Sequence, residues 1–130
     1  MKGQSEKHHT ELLNGLYNQL EGIFDNSGQA IYLYLDDVHK LCNKKFANML
    51  NYKSPKEWAE SVVSFTDIFG DKKSQNNLVS AYHKAMEKMN ASSIAVKWRK
   101  KNGRIVSTNV ILVPISYNGH LFALHFVSKA

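Results

Sequence analysis

The chain has 130 residues, of which 43% are hydrophobic and 22% are charged, and its formal net charge is +6 at pH 7. This length and balance predict a single soluble globular domain with a core of its own. They exclude a membrane-spanning protein, because the longest apolar run, Ala30 to Leu35, is far below the roughly 20 residues that cross a bilayer.

Cysteine usage and the N-terminus indicate the compartment. The single cysteine, Cys42, excludes an internal disulfide and any metal site built from several cysteines. The first residues are polar and lack the apolar core of a signal peptide. We therefore expect a cytoplasmic location.

The first 28 residues divide into two segments. We expect residues 1–9 to form a flexible tail and residues 10–28 to form an amphipathic helix, because apolar side chains recur there at helical spacing. This apolar stripe either packs on the chain's own sheet or pairs with a second copy of the chain. The candidates for a homodimer interface are Leu13, Leu16, Tyr17, Leu20, Ile23 and Phe24.

Strands and short helices follow. Ala30 to Asp36 and Val38 to Cys42 read as two strands joined by a tight reversal. Asn43 is placed to cap a short helix, and Ser54-Pro55 with Glu57 is the start signal of a second helix carrying Trp58. Each short helix has one apolar face, which predicts that both lie on a sheet.

This segment resembles the strand–Asn–helix region of PAS domains, the small sensor modules of signalling proteins. The pattern matches at Asn43, Phe46, Ala47 and Leu50, then Asn51-Tyr52 and the Ser54 to Trp58 helix. Asn51 stands where the family usually has Gly, and Asn also tolerates a left-handed backbone. The closing PISYNGHLFALHFVS is similar to the terminal strands of the family. The sequence stops before the exit motif that often leads to an output helix, so we expect either a stand-alone sensor or an output region further along the chain.

The rest of the chain has the order of the PAS fold. The run 61–71 is expected to lie over the sheet, and Lys73 to Met89 to form a long helix. Three strands follow at 93–100, 104–117 and 120–127, with Asn-Gly turns between them and Pro114 at an edge or bulge. We therefore predict an α+β fold, in which residues 29–130 form a PAS-like domain: a five-stranded antiparallel sheet with helical connections on one face and the N-terminal amphipathic helix.

The resemblance implies a pocket between the sheet and the connecting helices. Each candidate side chain could instead serve only as core packing, since a domain of this size needs apolar residues inside. The pocket candidates are Tyr32, Tyr34, Phe46, Leu50, Trp58, Phe69, Tyr82, Met86, Trp98 and His125.

Cofactor and metal sites find little support in the sequence. Flavin photochemistry of the family requires a helical cysteine, whereas Cys42 falls on a strand. Haem sensors of the family use a histidine of the long helix, but His83 points away from the apolar stripe there. No histidine pair has the i, i+4 spacing of a helical metal site, so none is predicted. His125 reads either as a neutral core histidine or as a polar anchor in the pocket.

The leading hypothesis is a PAS-type sensory module that binds a small molecule, contacts a second copy of the chain, or both. A downstream signalling protein or output domain would receive the signal. One alternative is a small α+β enzyme or lipophilic-ligand carrier with His125 as base, although no inward strand position is acidic. Another alternative is an adaptor that binds nucleic acid or an acidic partner through the basic hairpin 97–104. We favour a solvated turn as the role of this hairpin.

Overall fold

The computed structural model describes residues 2–36, 39–61 and 67–130. Within these ranges the chain forms four helices and five strands. They are α1 (Lys2–Asn26), β1 (Ala30–Asp36), β2 (His39–Cys42), α2 (Lys44–Met49), α3 (Pro55–Ala59), α4 (Lys72–Lys88), β3 (Ser92–Arg99), β4 (Ile105–Tyr117) and β5 (His120–Lys129). Val38 and residues 62–66, which the sequence assigned to a strand and to a segment over the sheet, lie outside the described residues.

The strands form one antiparallel sheet in the order β2-β1-β5-β4-β3. This confirms the predicted five-stranded α+β fold. β1 pairs with β5 through Tyr32 and His125, while β4 pairs with both β5 and β3. None of the described helices is long and apolar enough to cross a membrane.

The alternation of side chains along the strands gives the sheet two apolar faces. On β1, Tyr32 faces the connecting helices α2, α3 and α4, whereas Ile31 and Leu33 face α1. We call these two sides the pocket face and the α1 face. Each face is covered by its own set of helices, so the sheet is the middle layer of the molecule.

Helix α1 packs on the chain's own sheet. Leu13, Leu16 and Phe24 are buried there together with Phe122 and Leu124 of β5. Tyr17 and Leu20 are partly buried against the same cluster, whereas Ile23 is 46% exposed. The structure thus adopts the first of the two arrangements expected for the apolar stripe, and the homodimer stays a prediction.

The helix starts earlier than expected. We expected a flexible tail over residues 1–9, but α1 already begins at Lys2 and ends at Asn26. The first turns are polar, so they give no hydrophobic periodicity from which a helix could be predicted. Their described side chains, His8 and His9, instead contact polar groups at one end of the sheet.

Asn43 joins the start of the sheet to the connecting helices. Its Oδ1 accepts hydrogen bonds from the backbone N–H groups of Phe46 (3.0 Å) and Ile31 (3.1 Å), and its Nδ2 donates to the Gln29 carbonyl at 2.8 Å. Ser54 caps α3 more simply, since its Oγ accepts from the Glu57 N–H within the helix that it starts. The predicted caps are confirmed, and Asn43 also acts as a tertiary link.

The turns between strands agree with their sequences. Asn118 (φ 48°) and Gly119 (φ 79°) both adopt positive φ between the paired residues Tyr117 and His120, as a two-residue hairpin requires. Pro114 lies where β4 extends beyond the last β3 pair, Ser92 with Leu112, so its missing N–H interrupts no pairing with β3.

Replacing Asn43 by Ala tests this link. Loss of the side chain leaves two backbone N–H groups and one carbonyl without their partner in a site that is only 5% exposed. We expect Asn43→Ala to lower the free energy of unfolding by about 2 to 3 kcal/mol. Ser54→Ala, the matched control that removes a single cap, is expected to cost about 1 kcal/mol. Equal losses in urea unfolding followed by tryptophan fluorescence would contradict the tertiary role of Asn43.

Candidate functional site

A cavity of about 490 Å³ lies between the pocket face of the sheet and the helical connections. Strands β1, β3 and β5 supply its floor, and α3, α4 and the segments beside them supply its walls. The lining residues are Tyr32, Tyr34, Leu35, Asp36, Lys40, Leu50, Tyr52, Trp58, Ser61, Ile68, Leu78, Val79, Tyr82, His83, Trp98, Arg99 and His125.

Most of the pocket candidates lie at this cavity: Tyr32, Tyr34, Leu50, Trp58, Tyr82, Trp98 and His125. The other three do not line it. Phe46 is fully buried behind Tyr32, with ring centroids 4.7 Å apart, and Phe69 is stacked on Trp98. Met86 packs against the core cluster from the side of α4. Periodicity identified the inward face but did not separate the cavity wall from the layer behind it.

The sequence missed a polar group of residues around the cavity. Asp36, Lys40, Ser61 and Arg99 line it together with His83, which is exposed as predicted. A search for apolar periodicity passes over such residues, because their side chains are polar. The expectation that no inward strand position is acidic was wrong for Asp36, whose Oδ1 is 2.7 Å from His39 Nδ1.

Aromatic rings dominate the interior. The ring of Tyr32 lies 5.7 Å from that of Trp58 and 5.7 Å from that of Trp98, centroid to centroid. Tyr82 makes an edge contact with Tyr34 at the side of α4. The polar atom of Trp98 is already used, because its Nε1 donates to Thr108 Oγ1 at 3.0 Å. These walls therefore present flat apolar surfaces to the cavity.

His125 is the polar group at the cavity floor. It is 2% exposed, and its ring stacks on Tyr32 with the centroids 3.7 Å apart. Burial lowers the pKa of His125 to about 3, although backbone hydrogen bonds at Tyr32 and Ala123 act in the opposite direction. The imidazole is therefore neutral at physiological pH. Among the described residues, its Nδ1 is the one buried side-chain nitrogen or oxygen without a hydrogen-bond partner.

Cys42 and the basic hairpin have ordinary roles within the fold. Burial raises the pKa of the Cys42 thiol to about 12, which keeps it protonated and unreactive. In the hairpin, Lys101 Nζ lies 2.9 Å from Glu57 Oε1, and Lys97 Nζ lies 3.9 Å from Asp71 Oδ2. Two of the cations that could attract an acidic partner thus already have acidic neighbours in the chain.

The buried histidine predicts a specific pH dependence. His125 titrates near pH 6.5 when the chain is unfolded and near 3 when it is folded, so the unfolded state binds more protons between these values. Its contribution to stability is fully present above pH 6.5 and is lost as the pH falls toward 3. In His125→Phe we expect the slope of unfolding free energy against pH to shrink by up to about 1.4 kcal/mol per pH unit. His83→Ala is the control, and an unchanged slope in His125→Phe would contradict a neutral buried histidine.

Solved structures with this arrangement share one fold. A PAS domain from a two-component sensor histidine kinase is 17% identical, with a TM-score of 0.65, over 90% of this chain and 98% of that one. The PAS domain of an HTR-like protein from Haloarcula marismortui is 16% identical, with a TM-score of 0.63, over the full length of both chains. The PAS domain of nitrogen regulation protein NR(II) from Vibrio parahaemolyticus is 18% identical, with a TM-score of 0.63, over 84% of this chain and 95% of that one.

No protein-family model matches the chain, and a search of the curated proteins finds no match. The agreement therefore rests on the strand order, the connecting helices and the nearly complete coverage of both chains. The chain has the fold of a PAS domain.

Proposed function

We propose that this chain is a sensory module that binds a small, flat aromatic molecule with one hydrogen-bonding group in the cavity on the pocket face. One observation carries the proposal: a buried histidine nitrogen without a partner at the floor of an aromatic cavity. A buried polar atom left unsatisfied is costly, and a ligand that hydrogen-bonds to Nδ1 would remove that cost.

The size and chemistry of the cavity support a small-molecule ligand. Its volume of about 490 Å³ falls within the range of small-molecule sites, about 300 to 1,000 Å³. Tyr32, Trp58 and Trp98 offer flat surfaces on which an aromatic ring can pack, and Lys40 and Arg99 provide polar groups beside them. An apolar interior with few polar groups is the usual composition of such sites.

The position of the ligand suggests how a signal would leave the cavity. Tyr32 and His125 face each other on β1 and β5, and the next residues of these strands, Ile31 and Leu124, are packed under α1. A ligand that moves the two rings would shift these strands and thereby the packing of α1. A downstream protein or output domain reading that change, and a cytoplasmic location, are part of the same proposal.

An enzymatic function is less well supported. A general base works best when its pKa is near the operating pH, whereas the pKa of His125 is about 3. Asp36, the acidic residue at the cavity, accepts one hydrogen bond from the His39 backbone N–H, and its Oδ1 lies 2.7 Å from Nδ1 of the His39 ring. We therefore favour binding over catalysis, and over an adaptor function of the hairpin with its two paired lysines.

Binding of simple probe molecules tests the proposal. Naphthol and quinoline have a flat ring with one hydrogen-bonding group, and naphthalene lacks that group. We expect naphthol, whose hydroxyl can donate or accept, to bind several-fold more tightly than naphthalene in an NMR titration, because one hydrogen bond contributes about 1 kcal/mol. Quinoline can only accept, so it shares this gain only if Nδ1 carries the proton of the neutral ring. In His125→Phe this preference should disappear, whereas His83→Ala at the cavity edge should retain it.

A cavity-filling variant provides the control for location. Leu78 of α4 lines the cavity, so Leu78→Trp places an indole in the space that the probe would occupy. We expect this variant to lose binding of all three probes. Binding equal to that of the wild type, or no binding of any probe by the wild type, would contradict a ligand site in this cavity.

The predicted homodimer is a second, separable proposal. With Leu13, Leu16 and Phe24 buried, a partner docking on α1 would use its outer side, where Ile23 is exposed. Ile23→Glu is expected to convert such a dimer to a monomer in analytical ultracentrifugation. Gln29→Glu, beyond the end of α1, serves as a charge-matched control. A wild-type chain that stays monomeric at high micromolar concentration would contradict the dimer.

A further inference from the structure

A cluster of histidines surrounds Asp36 at one end of the sheet. His8 and His9 come from α1, His39 begins β2, and His120 begins β5. Asp36 ends β1 and pairs with His39. The antiparallel pairing of β1 with β5 brings the end of the first strand close to the start of the other, and α1 lies across both. Three strands and a helix thus deliver imidazoles and a carboxylate to one place.

Three of these groups have the spacing of metal ligands. The ring nitrogens of His9 and His39 and a carboxylate oxygen of Asp36 offer one ligand atom each, all within 4.8 Å of one another. His39 Nδ1 lies 2.7 Å from Asp36 Oδ1, and His9 Nδ1 lies 3.6 Å from Asp36 Oδ2. Ligand atoms of a tetrahedral zinc ion stand about 3.3 Å apart, given Zn–N and Zn–O bonds of about 2.0 to 2.2 Å. Small side-chain movements would complete this geometry.

The surroundings of the three ligands suit a bound ion. The side chain of His39 is 9% exposed, whereas those of His9 and Asp36 are 30% and 40% exposed. The site is therefore anchored on a buried histidine and open to solvent on one side, which allows an ion to enter and a water to be the fourth ligand. The backbone N–H of His39 also donates to Asp36 Oδ1 at 2.8 Å, which holds the carboxylate in place.

We propose that His9, Asp36 and His39 bind one divalent transition-metal ion, with Zn²⁺ as the best match. Two imidazoles and a carboxylate suit zinc, copper or nickel, whereas magnesium and calcium prefer sites made only of oxygen. The ion would join α1 directly to the β1–β2 end of the sheet. The spacing rule applied to the sequence could not find this site, because its ligands lie on three separate elements.

Metal binding by the tag-free, chelator-treated full chain tests the proposal. Titration with zinc chloride in a calorimeter should give one ion per chain, and magnesium chloride should give no binding. His9→Ala and His39→Ala should each lower the zinc affinity at least about tenfold. His83→Ala removes an exposed histidine of α4 that is not one of the three ligands, and it should bind as the wild type does. Circular dichroism of each variant verifies that it is folded.

Cobalt supplies a readout of the ligand geometry. With Co²⁺ in place of Zn²⁺, the wild type should show the strong visible absorption of a four-coordinate site, and both variants should lose it. His9→Ala changes a partly exposed side chain, so it tests the site even if His39→Ala fails to fold. Zinc binding of unchanged affinity in His9→Ala, or a wild type that binds neither ion, overturns the proposal.

Discussion

The side chain of Asn43 holds together the parts on which the cavity depends. One amide group bonds to the backbone of Gln29 and Ile31 at the start of β1 and to Phe46 at the start of α2. Because the group is buried, water cannot replace these bonds. The chain leaves β2 at Asn43 and then forms α2 and α3. The position of Asn43 therefore determines where Tyr52 and Trp58 lie as walls of the cavity.

The alternation of side chains along two central strands explains how one sheet serves two purposes. Tyr32 and His125 stack toward the cavity, while Ile31, Leu33, Phe122 and Leu124 carry the helix on the opposite side. Neither set can shift without moving the backbone that the other set shares. This shared backbone is the route by which the proposed ligand would act on the packing of α1.

Local patterns predicted most of the fold, because strand alternation, the caps at Asn43 and Ser54, and the Asn-Gly turns act between near neighbours in sequence. The local patterns predicted which side chains face inward, but not which of them reach the cavity surface. Phe46 was therefore expected at the cavity wall, although it lies in the layer behind it. They also missed features made by tertiary approach, such as Asp36 at the cavity and the contact of His9 with Asp36. Such contacts depend on how whole elements pack, which no periodicity encodes.

The docking of α1 also bears on the predicted domain boundary. The predicted boundary at residue 29 follows the strand pattern, but the helix before it covers Ile31, Leu33, Phe122 and Leu124, which are almost fully buried. A chain shortened to residues 29–130 would carry these four side chains into water as one continuous patch, and such patches promote self-association. The helix therefore acts as a structural layer of the domain, and we expect a chain without it to self-associate through the uncovered face of the sheet.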